Sequence, residues 1–275
     1  MIKYDPPKII CEICGSRNIY KFHESENGAQ IFKCRDCKTQ FMNPQYSEDH
    51  LNHYYSTYIR DESFKEDNLI EAQSYCLSIV ESQVPDKGNL LELGSGNGYL
   101  LDIAKLKGWK PFGHEIDCIS AGKLSERLGL EILCGDFLTL EIDKTFDAVI
   151  MLHVLEHLKD PVEHLNKISG LLNKGGVLFI ALPNIESRSG LVKLGLEKLK
   201  IKKKNIAAYY DTEHHLWYYT PATIRKLLEK NFDVITVYSG DRFNPVRGKL
   251  NTIIEEKIFS KLLWHSSMGI LAVKK

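Results

Sequence analysis

Leu90-Leu91-Glu92-Leu93-Gly94-Ser95-Gly96-Asn97-Gly98-Tyr99 is the stretch whose reading decides the fold of this chain. An apolar run carries an acid, three glycines follow at alternate positions, and a helix-patterned segment from Tyr99 to Lys107 closes at Gly108. That is a strand, a tight turn and a helix start. Glycine serves where the backbone must take a positive φ or admit a ligand closely. A dinucleotide fingerprint would put glycines at the first, third and sixth positions. Here Tyr99 holds the sixth, so the helix-packing glycine is missing and the pattern is E-x-G-x-G-x-G. An ordinary tight turn is the plain alternative, and the chain downstream decides between them.

Downstream of the glycines, strand and helix alternate, the mark of a parallel α/β sheet. Strand patterns cover Asn89–Leu93, Lys110–Ile116, Glu131–Cys134, Phe146–Leu152 and Gly176–Ala181. The helix between the last two is predicted to start at Asp160 as N-cap, with Pro161 in its first turn and Glu163 completing a capping box. Gly175-Gly176 is predicted to stop it. A long insertion then runs from Ile185 to Leu216, with six lysines and one glutamate between Lys193 and Lys204. Such a run reads as a solvated helix face or as a lid over an anionic substrate. Thr220-Pro221 opens another helix, Phe232–Tyr238 and Gly269–Val273 are the last strands, and Asn251–Trp264 between them reads as helical. Upstream, Ser47–Tyr58 forms a polar-aromatic helix capped by Ser47, and Ser63–Val84 a second helix broken at Pro85-Asp86-Lys87-Gly88.

Four of the seven cysteines form two pairs, Cys11/Cys14 and Cys34/Cys37, with 19 residues between them. Four thiolates at this spacing close a tetrahedral zinc site from two knuckles, with no open position, so the expected role is structural. A segment this short has no core of its own and would draw folding energy from the metal. Cys76, Cys118 and Cys134 lie in apolar patterns and are expected as buried thiols, which suits a reducing cytoplasm. Lysine plus arginine equals aspartate plus glutamate at 36 each, which disfavours bulk nucleic-acid binding. No stretch has the form of a signal peptide or the length of a membrane span.

The order of glycine loop, acid at the end of the second strand, Gly135-Asp136-Phe137 after the third and Leu155-Glu156-His157 after the fourth resembles the class I S-adenosylmethionine (SAM) dependent methyltransferases. The stretches LHVLEHLKDP, GGVLFIALPN and HHLWYYTP resemble most the UbiG-like and methyltransferase type 11/23 groups. The resemblance implies an α/β, Rossmann-like seven-stranded sheet over residues 87–275, with a lid-like insertion at 185–216. Ahead of it stand a zinc-ribbon module (1–45) and a helical cap or linker (46–86). It further implies a SAM cradle of Glu92, Gly94, Gly96, Gly98, Glu115, Asp136, Phe137 and Leu152. Glu115 would take the ribose hydroxyls, with Asp117 as fallback; Asp136 would meet the adenine, with Phe137 packing on the ring. Members of these groups act largely on small molecules, often on oxygen, so the expected acceptor is of sugar or secondary-metabolite type. The alternatives are an rRNA base N-methyltransferase and a non-catalytic zinc-ribbon interaction protein on a SAM-binding scaffold.

His153, Glu156 and His157 are spaced to share one face of a helical turn at the carboxyl edge of the sheet. Glu213-His214-His215 should fold back over the same crevice. Three readings stand: a metal-free site with His153 as general base and His157 and His215 beside it, a divalent-cation site, or structural bracing. The cation reading resembles the E-x-x-E-H array with a later histidine of small-RNA 2′-O-methyltransferases, with His153 replacing the first glutamate.

Overall fold

The computed structural model describes residues 3–25, 27–57, 66–199, 209–243 and 261–275. In chain order its elements are β1 (Ile19–Glu24), β2 (Gln30–Cys34), β3 (Gln40–Met42), α1 (Glu48–Thr57), α2 (Glu66–Glu81), β4 (Asn89–Leu93), α3 (Tyr99–Leu106), β5 (Lys110–Glu115), α4 (Cys118–Leu128) and β6 (Ile132–Cys134). Then follow β7 (Phe146–Leu152), a 3₁₀ turn (Leu155–His157), α5 (Pro161–Leu171), β8 (Leu172–Pro183), α6 (Arg188–Lys198), β9 (Trp217–Tyr218), α7 (Pro221–Leu228), β10 (Phe232–Ser239), a second 3₁₀ turn (Asp241–Phe243) and β11 (Ser267–Lys274).

Seven strands form one sheet in the order β10-β11-β8-β7-β4-β5-β6. The pairs β8-β7, β7-β4, β4-β5 and β5-β6 are parallel, and β11 runs antiparallel to both neighbours. Successive side chains leave a strand on opposite faces. Leu91, Leu93, Val149, Met151, Leu178 and Ile180 therefore bury against Leu165 and Ile168 of α5 and Ile224 and Leu228 of α7. Leu90, Ala148, Ile150, Phe179 and Leu271 bury against Cys76, Leu77 and Val80 of α2 and Leu100 and Ala104 of α3. With both faces covered, the central strands read as nearly unbroken apolar runs.

The remaining four strands form a second sheet in the order β1-β2-β3-β9. Its last strand comes from far along the chain: Gln40 pairs with Tyr218 and Phe41 with Trp217. The Met42 N–H donates to the Leu216 carbonyl at 2.9 Å, and the Leu216 N–H donates to the Glu156 carbonyl at 2.9 Å. Trp217 is 1% exposed, packs on Phe41 at 5.3 Å and donates Nε1–H to the Leu158 carbonyl at 2.9 Å. Cys11, Ile31, Cys34, Phe41 and Met42 thereby join the same core as the large sheet. Tyr46 Oη donates to the Thr212 carbonyl at 2.6 Å, and the Tyr210 hydroxyl donates to Gln40. The end of the insertion is thus a buried seam. Residues 200–204 of its lysine-rich stretch, and residues 251–260 of the helix expected over Asn251–Trp264, lie outside the described residues.

Three local expectations change. Asp160 precedes α5, but its side chain makes no cap hydrogen bond. Glu163 accepts instead from Asn166 Nδ2 at 3.3 Å, so no capping box forms there. The box forms at α7, where the Thr220 hydroxyl accepts from the Thr223 N–H and the Thr223 hydroxyl from the Thr220 N–H. β8 begins at Leu172, not Gly176: Leu172 turns extended at φ −75° and ψ 140° and pairs with Phe146. The chain then shifts register before Val177 meets Ala148, with Gly175 at φ 76° inside the irregularity. Finally, Cys118 and Cys134 are joined by a disulfide, and Cys118 is exposed; Cys76 alone of that trio is a buried thiol.

Removing the Trp217 indole empties a site at the meeting of both sheets. Trp217→Ala should cost about 3–5 kcal/mol, read from the urea midpoint. A second outcome concerns His114, 6% exposed on β5, whose Nε2 faces the Gly135 carbonyl at 2.8 Å. Burial pushes its imidazole down to about 4. Below its ordinary value of 6.5 the unfolded chain binds a proton that the folded chain refuses. Stability should therefore fall as pH drops from about 6.5 to about 4, by roughly 2–3 kcal/mol from this group. Chemical denaturation at pH 7 and pH 4.5 should show a smaller drop in His114→Gln than in the native chain.

Candidate active site

The glycine loop sits where β4 ends. Gly94, Gly96 and Gly98 take φ of 75°, 54° and 70°. A Cβ on Gly94 would lie 2.6 Å from Val154 Cγ2, and one on Gly98 2.5 Å from Leu124 Cδ1, so both are held to glycine by space as well as by φ. Ser95, 3% exposed, ties the loop down: its hydroxyl accepts from the His114 N–H at 3.1 Å and donates to the Glu92 carbonyl at 3.2 Å. The Gly94 and Ser95 N–H groups both reach the His114 carbonyl, at 2.9 and 3.0 Å. Arg127 of α4 donates to the Asn97 carbonyl from outside. Spacing alone could not announce this arginine, since it meets the loop only through the packing of α4.

Glu115, the last residue of β5, accepts the Gly96 N–H on its carboxylate. The sequence places the two 19 residues apart, and the fold brings them together at the cradle. Asp117 is committed elsewhere: it caps α4 by accepting the Ser120 N–H at 2.8 Å, a bond that also lowers its pKa. Asp136 is exposed and accepts the Leu138 N–H at 3.0 Å, which fixes its side chain at the end of β6. Phe137, expected to pack on the adenine ring, is buried in the core instead. It is 2% exposed, with His114 at 5.4 Å, His164 at 6.0 Å and the Lys167 ammonium 5.1 Å over its ring. The apolar side chain free to cover a ring at this edge is Ile116, 42% exposed directly after Glu115. Glu92 is buried beneath the loop at 2% exposure, and Leu152 is half-buried at the end of β7.

Beyond Leu152 the chain turns sharply. His153 takes φ 56°, a left-handed conformation rare outside glycine and a frequent companion of functional sites. Its N–H donates to the Ala181 carbonyl at 2.8 Å. Its ring reaches the Phe243 carbonyl through Nε2 at 2.9 Å and the Glu156 carboxylate through Nδ1 at 3.4 Å. Glu156 is 1% exposed, and neither carboxylate oxygen accepts a hydrogen bond among the described residues. Burial alone would raise its pKa, but His153, His157 and His215 around it outweigh that and hold it down at about 2. Burial keeps His157 and His215 neutral, His157 down at about 3.

The two histidines of the later segment arrive as expected. His157 stacks on His214 at 4.8 Å and meets His215 edge-on at 4.8 Å. His157 Nδ1 faces the His214 carbonyl at 3.2 Å, and Tyr54 Oη from α1 reaches His214 Nδ1 at 3.1 Å. One ring nitrogen from each of His157, His214 and His215 lies within 4.8 Å of the others. At the far end of the second sheet, Cys11, Cys14, Cys34 and Cys37 also bring their sulfurs within 4.8 Å of one another. Cys11 and Cys37 stand 3.5 Å apart, and Cys14 and Cys34 3.7 Å. A tetrahedral zinc with bonds near 2.3 Å needs sulfurs about 3.8 Å apart. Gly15 at φ 71° and Lys38 at φ 67° close the two knuckles, their N–H groups donating to the Cys11 and Cys34 carbonyls.

Among the described residues no helix is long and apolar enough to cross a membrane. The model of a family described as a methyltransferase domain matches residues 69–237. An uncharacterized methyltransferase of Bacillus cytotoxicus is 31% identical over 140 residues, covering 48% of this chain and 64% of that protein. A Bacillus cereus relative matches at 30% with the same coverage, so the alignments span less than two thirds of these relatives. Among solved structures, the magnesium protoporphyrin IX methyltransferase of Synechocystis with bound SAH superposes with a TM-score of 0.52 at 17% identity, covering 82% of this chain and 94% of that one. The PH0226 protein of Pyrococcus horikoshii gives 0.53 at 16%, covering 81% and 99%. A glycopeptide N-methyltransferase complexed with SAM gives 0.52 at 16%, covering 74% and 95%. The likeness to these structures is one of fold, and the family match covers more than half of the chain: it belongs to the methyltransferase domain family, the class I group that its glycine loop and strand-end acids resemble.

Proposed function

We propose that this chain transfers the methyl group of SAM to a hydroxyl oxygen of a small-molecule acceptor of sugar or secondary-metabolite type, in the cytoplasm. The observation that carries the reading is adjacency. The glycine loop that Glu115 already holds is packed against Val154, the residue after His153, which supports reading cradle and titratable groups as one site. Glu115 would take the ribose hydroxyls, Asp136 the adenine amino group, and Gly94, Gly96 and Gly98 admit the cofactor closely; neighbours of this fold carry SAH or SAM. SAM supplies an electrophilic methyl whose bond to sulfur breaks as the acceptor oxygen attacks, and alignment supplies much of the rate.

The acceptor proton needs a base, and His153 is the group we assign. Glu156 orients it from the buried side, as a carboxylate orients the histidine of a hydrolase triad. Where Nε2 faces the Phe243 carbonyl it is the donor; as base it would be the unprotonated nitrogen, with Nδ1–H toward Glu156 and an acceptor hydroxyl in place of that carbonyl. His157 and His215, kept neutral by burial, form the polar wall beside it. We divide the chain into a ribbon (1–45), a helical segment (46–86) and the methyltransferase domain (87–275), with 185–216 bordering the acceptor side.

Zinc at Cys11, Cys14, Cys34 and Cys37 is our reading of the ribbon, supported by the sulfur spacing, with a structural role. The clustered nitrogens of His157, His214 and His215, with Glu156 behind them, support a second reading in which a divalent cation of the zinc or iron type binds there instead of leaving the site metal-free.

SAM titration should give saturable binding that Glu115→Ala weakens by about 2–4 kcal/mol. His153→Ala should keep that affinity and lose roughly 10²–10⁴ of turnover, read as SAH release on a panel of hydroxylated acceptors. Native affinity in Glu115→Ala, or full turnover in His153→Ala, would overturn the respective assignment. Metal analysis of the purified chain should find one zinc, absent in Cys37→Ser. A further equivalent, lost only in His157→Ala or His215→Ala, would move the histidine cluster to the second reading.

A further inference from the structure

Cys118 and Cys134 take no part in the reaction proposed above, yet they stand inside its cofactor cradle. Cys118 is the first residue of α4 and Cys134 the last of β6, and their Cα atoms are 5.0 Å apart. Cys134 is the direct register partner of Glu115 on β5. One residue on, the Gly135 N–H donates to the Glu115 carbonyl at 3.1 Å, and Asp136 follows. The bond therefore ties together the two segments that present the Glu115 and Asp136 carboxylates. Cys118 is exposed and Cys134 half-buried, so small thiols and disulfides can reach the pair. The other cysteines are set apart from such exchange: Cys76 is buried with its thiol pushed up to about 12, and the remaining four face one another in the ribbon.

We propose that Cys118 and Cys134 form a redox modification site that sets the affinity of the chain for its cofactor. The inference rests on the reading of Glu115 and Asp136 as cofactor-binding groups. One protein thiolate attacks a sulfur of a low-molecular-weight disulfide, forming a mixed disulfide and releasing one small thiolate. The second protein thiolate then attacks the mixed disulfide, closes the Cys118–Cys134 bond and releases the other. The protein pair loses two electrons, the small disulfide gains them, and the two protein thiol protons pass to the released thiols. Closed, the bond fixes the start of α4 to the end of β6 and presets the carboxylate pair. Open, that ordering is left to the binding step, which weakens affinity. Intracellular disulfides that are not permanent staples commonly act as sensors of this kind.

The test is SAM titration calorimetry on the full chain with its native metal content. One sample is equilibrated with glutathione disulfide and one with a phosphine reductant. The oxidised chain should bind about threefold to tenfold tighter. Cys118→Ser and Cys134→Ser should each bind at the reduced value in both conditions. Peptide mapping of the oxidised sample should recover a 118–134 cross-link. Equal affinity in both states of the native chain, a persisting redox response in Cys118→Ser, or no cross-linked peptide would overturn the inference while leaving the cofactor reading standing. No SAM binding in either state would overturn the cofactor reading and the inference with it.

Discussion

The backbone of Leu216 is the junction on which the site depends. Its carbonyl accepts from Met42 in the small sheet, and its N–H donates to the carbonyl of Glu156. Two hydrogen bonds on one buried residue thus fix the distance between the ribbon, the segment bearing His214 and His215, and the turn bearing His153 and His157. A backbone group buried this deeply must be paired, so the junction has little freedom to slip. Trp217, next in the chain, fills the space beneath it and ties the same turn through the Leu158 carbonyl. The ribbon is therefore held against the turn that bears His153 and His157.

Within that frame, electrostatics decides what the turn can do. Glu156 is an anion without hydrogen-bond donors of its own among the described residues, held by imidazoles around it. A buried carboxylate is costly to leave without partners, so the Nδ1 of His153 at 3.4 Å and the Nε2 of His157 at 3.9 Å are the groups that face it. The left-handed backbone of His153 has the same logic. It turns the ring back toward Glu156 and Phe243 instead of letting the chain run on from β7.

The fold was largely legible in the sequence because its signals are local. Asn89–Leu93 and Phe146–Leu152 read as strands to the residue, since each is an apolar run bounded by a turn, and the glycine loop announces itself by positive φ values that glycine adopts most easily. The acids proposed to meet the cofactor follow from their positions at strand ends. What stayed hidden depends on contacts between distant segments. Nothing in Trp217-Tyr218 says that these residues complete a sheet begun at Ile19. Phe137 read as a ligand-facing ring because its neighbours in sequence gave no sign of His164 and Lys167 arriving from α5. Cys118 and Cys134 read as separate buried thiols because their pairing is made by the turn from β5 into α4 packing against the end of β6, which periodicity does not encode.

The shared strand also orders events during synthesis. Residues 19–42 are made well before residues 217 and 218, which supply the pairing partner of the outer edge of β3. Through most of translation the nascent ribbon presents Gln40–Met42 as an open edge, with Phe41 and Met42 not yet covered. Open apolar edges recruit other strands. The ribbon is thus made before the strand that completes it, and a chain halted before Trp217 would carry an incomplete ribbon alongside an incomplete sheet. Coupling the first module to one of the later strands links completion of the ribbon to completion of the crevice it borders.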